Sequence, residues 1–424
     1  MNREIEVWAD WRGLEGAQFM GLLRANVARG KEVFSFNYDK AWLKSHASRQ
    51  LDPDLHLVKG PQYLNIDQRP NFGLFLDSSP DRWGRLLMQR REALVARKEK
   101  RSIRHLQETD YLLGVHDQQR AGALRFKDPD QEGLWLNDDV HMTTPPWASL
   151  RELENASWMI QDNSANDDPH YLEWLNLLIA PGSSIGGARP KAGVKDPNDD
   201  LWIAKFPGRA DERDMAAWEM LVHQLALDAG LRVAEANLQT FGKGHCTFMT
   251  RRFDRVKGSG GHQRIHFASA MTLLGRTDGD NHMGGASYLE LVEFISRQGA
   301  RPAQDLEELW RRIVFSIAVH NTDDHLRNHG FLLTENGWEL SPAYDLNADP
   351  NGSGLSLNIS ETDNALSFDL TLEVSHMFRI KPHRANEILN KVRAVITNWK
   401  AHAKNFGIPR SEQELMKRAF EESN

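Results

Sequence analysis

Apolar residues change their spacing along this chain, and that change limits the folds open to it. Near the start they alternate, in Ile5-Glu6-Val7-Trp8-Ala9 and again over Val33 to Tyr38, which is the period of a half-buried strand. Over Ser287 to Gln298, Pro302 to His320, Pro382 to Phe406 and Ser411 to Glu422 they recur every three to four positions, the period of an amphipathic helix, interrupted by a short hairpin pattern over Phe331 to Asp345. The section from 180 to 256 reads as hairpin, helix and strands. A β-containing first part followed by a mainly helical second part predicts an α+β chain with two lobes and a cleft between them.

Local signals refine this. Ser79-Pro80-Asp81 predicts a helix start with Ser79 as N-cap and Pro80 in the first turn, followed by an apolar face of Trp83, Leu86, Leu87 and Leu94. From Arg82 to Arg104 there are nine Lys/Arg against two Glu, either a solvated helix face or a contact for an acidic partner or nucleic acid. Leu150 to Met159 and Tyr171 to Leu178 have helical spacing, whereas Val233 to Phe241 and His245 to Val256 have strand-like patterns. Asp211 to Asp214 supply caps for a helix over Met215 to Ala229, which Gly230 ends.

Composition excludes several classes. The 424 residues exceed a single small module at roughly 150 residues per domain. With 52 Lys/Arg against 59 Asp/Glu the net charge is −7, which argues against a protein whose main task is to coat nucleic acid. The single cysteine, Cys246, rules out an internal disulfide and any zinc site built from several cysteines; it is expected to be a buried small hydrophobe in a reducing compartment. The charged N-terminus lacks an apolar export signal, and the best apolar run, Ile313 to Val319, is shorter than the ~18 residues that span a bilayer. The expectation is a cytoplasmic protein with no membrane partner.

The chemistry concentrates in His320-Asn321-Thr322-Asp323-Asp324-His325-Leu326-Arg327-Asn328-His329-Gly330 and, after the hairpin, Ser341-Pro342-Ala343-Tyr344-Asp345. Phosphoryl transfer needs one carboxylate to orient or deprotonate a hydroxyl, while an amide oxygen and a second carboxylate hold Mg²⁺ against the phosphates. Asp323, Asn328 and Asp345, the last 17 residues beyond Asn328, supply those groups in that order, and Mg²⁺ prefers such hard oxygen ligands. Upstream lie a Gly/Ser loop at 182 to 187, a strand lysine, Lys205, and Glu219 on the following helix. The Walker A spacing is absent around Lys191, so a P-loop NTPase fits poorly. Each part also has an ordinary reading: a flexible turn, a solvent-facing strand lysine, a helix-surface glutamate, a salt-bridged helix end.

Two further functions compete with a kinase. One is a catalytically weak corepressor, with the basic run at 82 to 104 and Arg379-Ile380-Lys381-Pro382-His383-Arg384 touching DNA phosphates. The other is a metal-dependent hydrolase built on His320, Asp324 and His325.

Taken together, Ser183-Ser184-Ile185-Gly186-Gly187-Ala188-Arg189-Pro190-Lys191, Lys205, Arg252-Phe253-Asp254-Arg255, Asp323 to Asn328 and Pro342-Ala343-Tyr344-Asp345 resemble the HipA family of bacterial serine/threonine kinase toxins. Gly73-Leu74-Phe75 and Ser79-Pro80-Asp81-Arg82-Trp83-Gly84 fit the same family, and the resemblance runs from about residue 1 to about 405. It implies a two-lobed protein-kinase-like fold: a β-rich N-terminal subdomain at 1–145, a nucleotide-binding part at 146–262 and a helical catalytic lobe at 263–424. It also implies ATP and Mg²⁺ as cofactors, a HipB-type helix-turn-helix antitoxin as partner, operator DNA reached through that antitoxin, and an aminoacyl-tRNA synthetase, glutamyl-type first, as substrate.

The roles the resemblance implies are residue-specific. Asp323 corresponds to the catalytic base, Asn328 and Asp345 to the metal ligands, and Lys205 to the phosphate contact. Gly186, Gly187, Ala188, Arg189, Pro190 and Lys191 correspond to the phosphate-binding loop, Arg251, Arg252 and Phe253 to the adenine-contacting hinge, and His325 and Tyr344 complete the ATP-binding set. Ser184, or its neighbour Ser183, corresponds to an autophosphorylated serine whose dianion would repel ATP. Arg251 departs from the family pattern where Glu is common, and Asp324 stands where a small residue is common. Two adjacent carboxylates are expected to raise one pKa by repulsion.

Overall fold

Alternate burial makes the N-terminal segments strands. In the computed structural model, which describes residues 3–421 apart from 29, 46–47, 65–68, 132, 139–143, 163–167, 180–188, 243 and 259–260, Ile5, Val7 and Ala9 of β1 (Arg3–Ala9) are buried, and the residues between them are half-exposed. With β2 (Gln18–Ala28), β3 (Lys31–Tyr38), the short β4 (Gln62–Tyr63) and β5 (Leu124–Lys127), β1 forms a five-stranded sheet in the order β4-β3-β2-β1-β5. All its described ladders are antiparallel. Phe36 of β3 and Phe126 of β5 pack against Phe75 of α1 (Gly73–Leu76), with ring centroids 5.7 and 6.3 Å apart. Each such buried ring contributes about 1.5–3 kcal/mol over leaving it in water.

The next helix, α2 (Arg82–Lys98), begins two residues later than Ser79-Pro80 predicts. Asp81 is its N-cap, with Oδ1 accepting from Gly84 N at 2.8 Å, while the Ser79 hydroxyl donates to Phe75 O at 2.8 Å. Trp83 and Leu87 are buried, but Leu86 is exposed, so the apolar face is narrower than expected. Much of the basic run is bound within its own surroundings. Arg85 makes two 2.7 Å bonds to Glu108 of α3 (Glu108–Gly114), Arg101 holds Glu92 and Glu99, and Arg104 holds Asp110. Arg90 donates to Ile160 O at the end of α4 (Leu150–Ile160) and to Tyr171 OH at the start of α5 (Tyr171–Ile179).

The hairpin of β6 (Lys191–Lys195) and β7 (Leu201–Lys205) follows, turned by Asp196 to Asp200. At Gly193 in β6 the terminal amide of Gln119 occupies the space a Cβ would take. Helix α6 (Met215–Ala229) has the predicted bounds, with Asp214 Oδ1 accepting from Ala217 N at 3.0 Å and Gly230 closing it at φ 87°. A second hairpin, β8 (Ala236–Gln239) and β9 (Thr247–Arg251), leads to a third, β10 (Arg255–Gly258) and β11 (Gly261–Arg264). Cys246 is half-buried rather than buried, with Sγ 3.3 Å from Thr240 Oγ1.

After β12 (Phe267–Ser269) and α7 (Ala270–Leu273) the chain is mainly helical. Ser287 and Glu290 form a capping box for α8 (Tyr288–Gln298), and Pro302 opens the deeply buried α9 (Pro302–Ala318). The hairpin β13 (Gly330–Thr334) and β14 (Gly337–Leu340) is where the pattern predicts it. Beyond α10 (Phe368–Val374), the single helix expected over 382–406 is two, α11 (Pro382–Ile396) and α12 (Trp399–Asn405). Thr397 Oγ1 and Asn398 Nδ2 both donate to Ala394 O at the break, competing with the helical ladder. The last expected helix is likewise two, α13 (Arg410–Met416) and α14 (Arg418–Glu421).

The chain packs as two units, one of residues 1–209 with 254–268 and one of residues 210–253 with 269–424. The three segments expected at 1–145, 146–262 and 263–424 divide the chain by role, whereas these units divide it by packing. No described helix is long and apolar enough to cross a membrane.

Candidate active site

Helix α9 ends by turning into the segment that carries the chemistry. Asn321 N bonds Ser316 O at 2.8 Å, and His320 takes a left-handed backbone, φ 50°, that a non-glycine residue adopts only when its surroundings hold it there. The two carboxylates that follow go to opposite environments. Asp324 is buried and accepts from Tyr288 OH at 2.6 Å and Ser316 Oγ at 3.3 Å, with His329 Nε2 3.0 Å away. The Asp323 side chain is 81% exposed, with His325 Nε2 3.8 Å from its carboxylate.

The electrostatics follow from this geometry. Burial works against ionisation of Asp324, but His329, 3.0 Å away, and the hydrogen bond from Tyr288 outweigh it and hold its carboxyl below the ordinary range. The expectation that repulsion raises a carboxyl of the adjacent pair is therefore corrected for Asp324, whose neighbours are donors. Burial, then the Asp324 charge, pushes the Tyr288 phenol far up, so it remains a donor.

Asn328 is oriented by the same loop. Its Nδ2 donates to Asp323 O at 2.9 Å and its backbone N to His325 O at 2.8 Å, so Oδ1 is the end of the amide that a cation would meet. The segment after β14 is laced to this loop. Tyr344 OH donates to Arg327 O at 2.7 Å, Asp349 N to His320 O at 2.9 Å, Asn347 N to Asn321 Oδ1 at 3.4 Å and Ser356 Oγ to Thr322 O at 2.8 Å. Asp345, also left-handed at φ 57°, accepts from Asn347 Nδ2 at 3.4 Å. An amide oxygen and one carboxylate suit Mg²⁺, which keeps several waters and is completed by phosphate oxygens. Among the described residues no group of three or more His, Cys, Asp or Glu is placed to hold a metal, and Asp324 is engaged by Tyr288 and His329. The hydrolase built on His320, Asp324 and His325 is set aside on those grounds.

The remaining candidates divide between the units. Phe253, in the same unit as the loop, has its ring 5.7 Å from that of Tyr344; Arg252 is buried; Arg251, at the end of β9, pairs through its backbone N with Glu235 O at 2.8 Å and through its guanidinium with Glu235 Oε2 at 3.5 Å. Asp254 and Arg255 of the same motif belong to the first unit, where Asp254 Oδ2 accepts from Gly122 N at 2.9 Å and Arg255 bridges Gly122 O, Arg120 O and Gln118 O. Lys205 closes β7 and is buried there, Arg189 is half-buried and Pro190 buried. Lys191 is not a surface cation: its Nζ lies 2.9 Å from Asp81 Oδ2 with both side chains buried. Glu219 is buried within the second unit. Gly186, Gly187, Ala188, Ser183 and Ser184 lie outside the described residues.

Sequence reasoning missed Tyr288, Ser316 and Asn347, which hold the loop, and gave Asn321 and Asp81 no role of their own, although both stand in segments it singled out, 320–330 and Ser79 to Gly84.

Helix α9 ends in this loop and further helices follow the β13–β14 hairpin, and comparison with known proteins places this arrangement. Over its length the fold is similar to that of HipA from Shewanella oneidensis in a complex with HipB and operator DNA, at a TM-score of 0.67 and 17% identity, covering 98% of this chain and 95% of that one. The fold class is the two-lobed, protein-kinase-like α+β class expected. Residues 183–399, more than half the chain, match the model of the HipA-like C-terminal domain, and the chain belongs to that family. A protein of Sinorhizobium fredii described as a candidate kinase, Y4mE, is 31% identical over 34% of this chain and 33% of its own length. A candidate kinase of Haemophilus influenzae is 28% identical over 39% of this chain and 52% of its own. The chain thus spans about half or less of the curated relatives it matches.

Proposed function

We propose that this protein is an ATP- and Mg²⁺-dependent serine/threonine protein kinase acting as the toxin of a toxin–antitoxin pair. The observation that carries the reading is the exposed Asp323 carboxylate beside the buried Asp324, in a loop that also orients the Asn328 amide. Asp323 accepts the proton of a substrate hydroxyl, while Asp324, gripped by Tyr288, keeps the loop in place. Asn328 and Asp345 would hold Mg²⁺, which when bound neutralises charge on the transferring phosphoryl group. Lys205 and the loop from Gly186 to Pro190 are the phosphate contacts in this reading, with Lys191 held instead by Asp81, and Arg251, Arg252, Phe253, His325 and Tyr344 are its nucleotide contacts. Ser184 or Ser183 is the autophosphorylation site that switches the enzyme off.

The partner in this reading is a HipB-type antitoxin, which brings the protein to operator DNA, and the substrate is an aminoacyl-tRNA synthetase. The Shewanella complex supports the partner, because it contains both HipB and operator DNA. Of the basic residues offered for direct DNA contact, Arg85, Arg101 and Arg104 are held by carboxylates, as is Arg384 by Glu307 and Glu387. The test compares phosphoproteomes of cells expressing the wild type and Asp323→Gln. A synthetase phosphopeptide and growth arrest present only with the wild type support the reading; equal arrest by both refutes it.

A further inference from the structure

A lysine only 1% exposed needs a counter-charge, because an unpaired ammonium in the interior is very costly. Lys191 receives one from Asp81, 110 positions away in sequence, at 2.9 Å. The other oxygen of the same carboxylate caps α2 through Gly84 N. Trp83, in the first turn of that helix, donates its indole N–H to Lys191 O at 3.1 Å. The segment Ser79 to Gly84 therefore grips a single residue of the hairpin by both its side chain and its backbone.

The residue it grips is opposite the phosphate-contact candidate. Lys191 opens β6, and its register partner on β7 is Lys205. Directly opposed residues of an antiparallel pair share a face, where two like charges repel. Asp81 offsets that repulsion at Lys191, and the bond from Phe206 N to Pro190 O, 2.9 Å, fixes the same end of the hairpin. All of these groups belong to one packing unit.

We propose that Asp81 is a positioning residue: by neutralising and anchoring Lys191 it sets where Lys205 presents its ammonium to the nucleotide. The role of Lys205 rests on the kinase reading above. In this account Lys191 is a strut, not a phosphate ligand, so removing it after Asp81 is gone does little more.

The test uses the full chain with Mg²⁺ and the fluorescent probe mant-ATP, beside steady-state kinetics of phosphoryl transfer. Asp81→Asn should raise the mant-ATP Kd and the KM for ATP about tenfold while kcat falls no more than about twofold. The double variant Asp81→Asn with Lys191→Met should match Asp81→Asn within about twofold, the non-additivity expected of groups acting as one unit. Trp83→Phe, which keeps the ring and loses one hydrogen bond, should raise Kd about threefold, and it decides the matter if circular dichroism shows Asp81→Asn unfolded. Unchanged Kd and KM in the folded variants, or additive losses in the double variant, overturn the proposal. A wild type that binds mant-ATP without transferring phosphate defeats the kinase reading alone, and the Kd ratios then judge Asp81; a wild type that does not bind overturns both.

Discussion

Asp323 and Asp324 are adjacent in sequence and opposite in environment: one carboxylate is 81% exposed, and the other is buried against Tyr288 OH at 2.6 Å. Two carboxylates side by side give a loop one group that can meet a substrate and one that anchors the loop itself. The anchor works as an ion, since its donors hold Asp324 below the ordinary carboxyl range despite burial.

Tyr288→Phe tests the anchor. A hydrogen bond to a charged group is worth about 1.5–3 kcal/mol, and the variant should lose about that much stability in urea unfolding at neutral pH. The sign of the pH effect follows from the lowered folded pKa of Asp324. Its stabilisation is present above the unfolded carboxyl value, about 4, and is lost as pH falls through the lower folded value. Removing the Tyr288 hydroxyl raises the folded value, so the acid unfolding midpoint should move to higher pH. An unchanged midpoint contradicts the assignment.

The Asp81–Lys191 pair makes a separate stability prediction. Removing one partner of a buried ion pair costs about 3–5 kcal/mol, whereas replacing both by apolar groups costs far less. Asp81→Asn should therefore be less stable than Asp81→Leu combined with Lys191→Met, as read from denaturant midpoints. The reverse order would mean that the pair is not the main partner of either group.

Asn328→Ala and Asp345→Asn should act through the metal. Each removes a hard oxygen ligand or its charge, so the Mg²⁺ concentration for half-maximal activity should rise about tenfold or more, as expected when a ligand is lost. Excess Mg²⁺ should restore part of the Asn328→Ala activity. A metal requirement identical to that of the wild type would remove both residues from the site.

What could be read in the sequence was whatever depends on near neighbours. Helix α6 has its predicted bounds because Asp214 and Gly230 cap it locally, and the β13–β14 hairpin sits where the pattern places it. The start of α2 was displaced because Ser79 bonds back to Phe75 O, leaving Asp81 to cap. The depth of Asp324 was hidden because its partner Tyr288 is 36 positions upstream, and Lys191 was assigned to phosphate because nothing in its own segment points to Asp81. The basic run looked like a surface for nucleic acid, since Glu108 and Asp110, which hold Arg85 and Arg104 from the following helix, have no spacing signal of their own.

The most direct measurement is phosphoryl transfer from γ-labelled ATP by purified wild type and Asp323→Asn, with mant-ATP binding measured on both. A positioned general base contributes about 10²–10⁴ in rate. Transfer reduced by that factor in Asp323→Asn, with mant-ATP affinity retained, is the predicted result. Equal transfer by the two proteins would contradict the account.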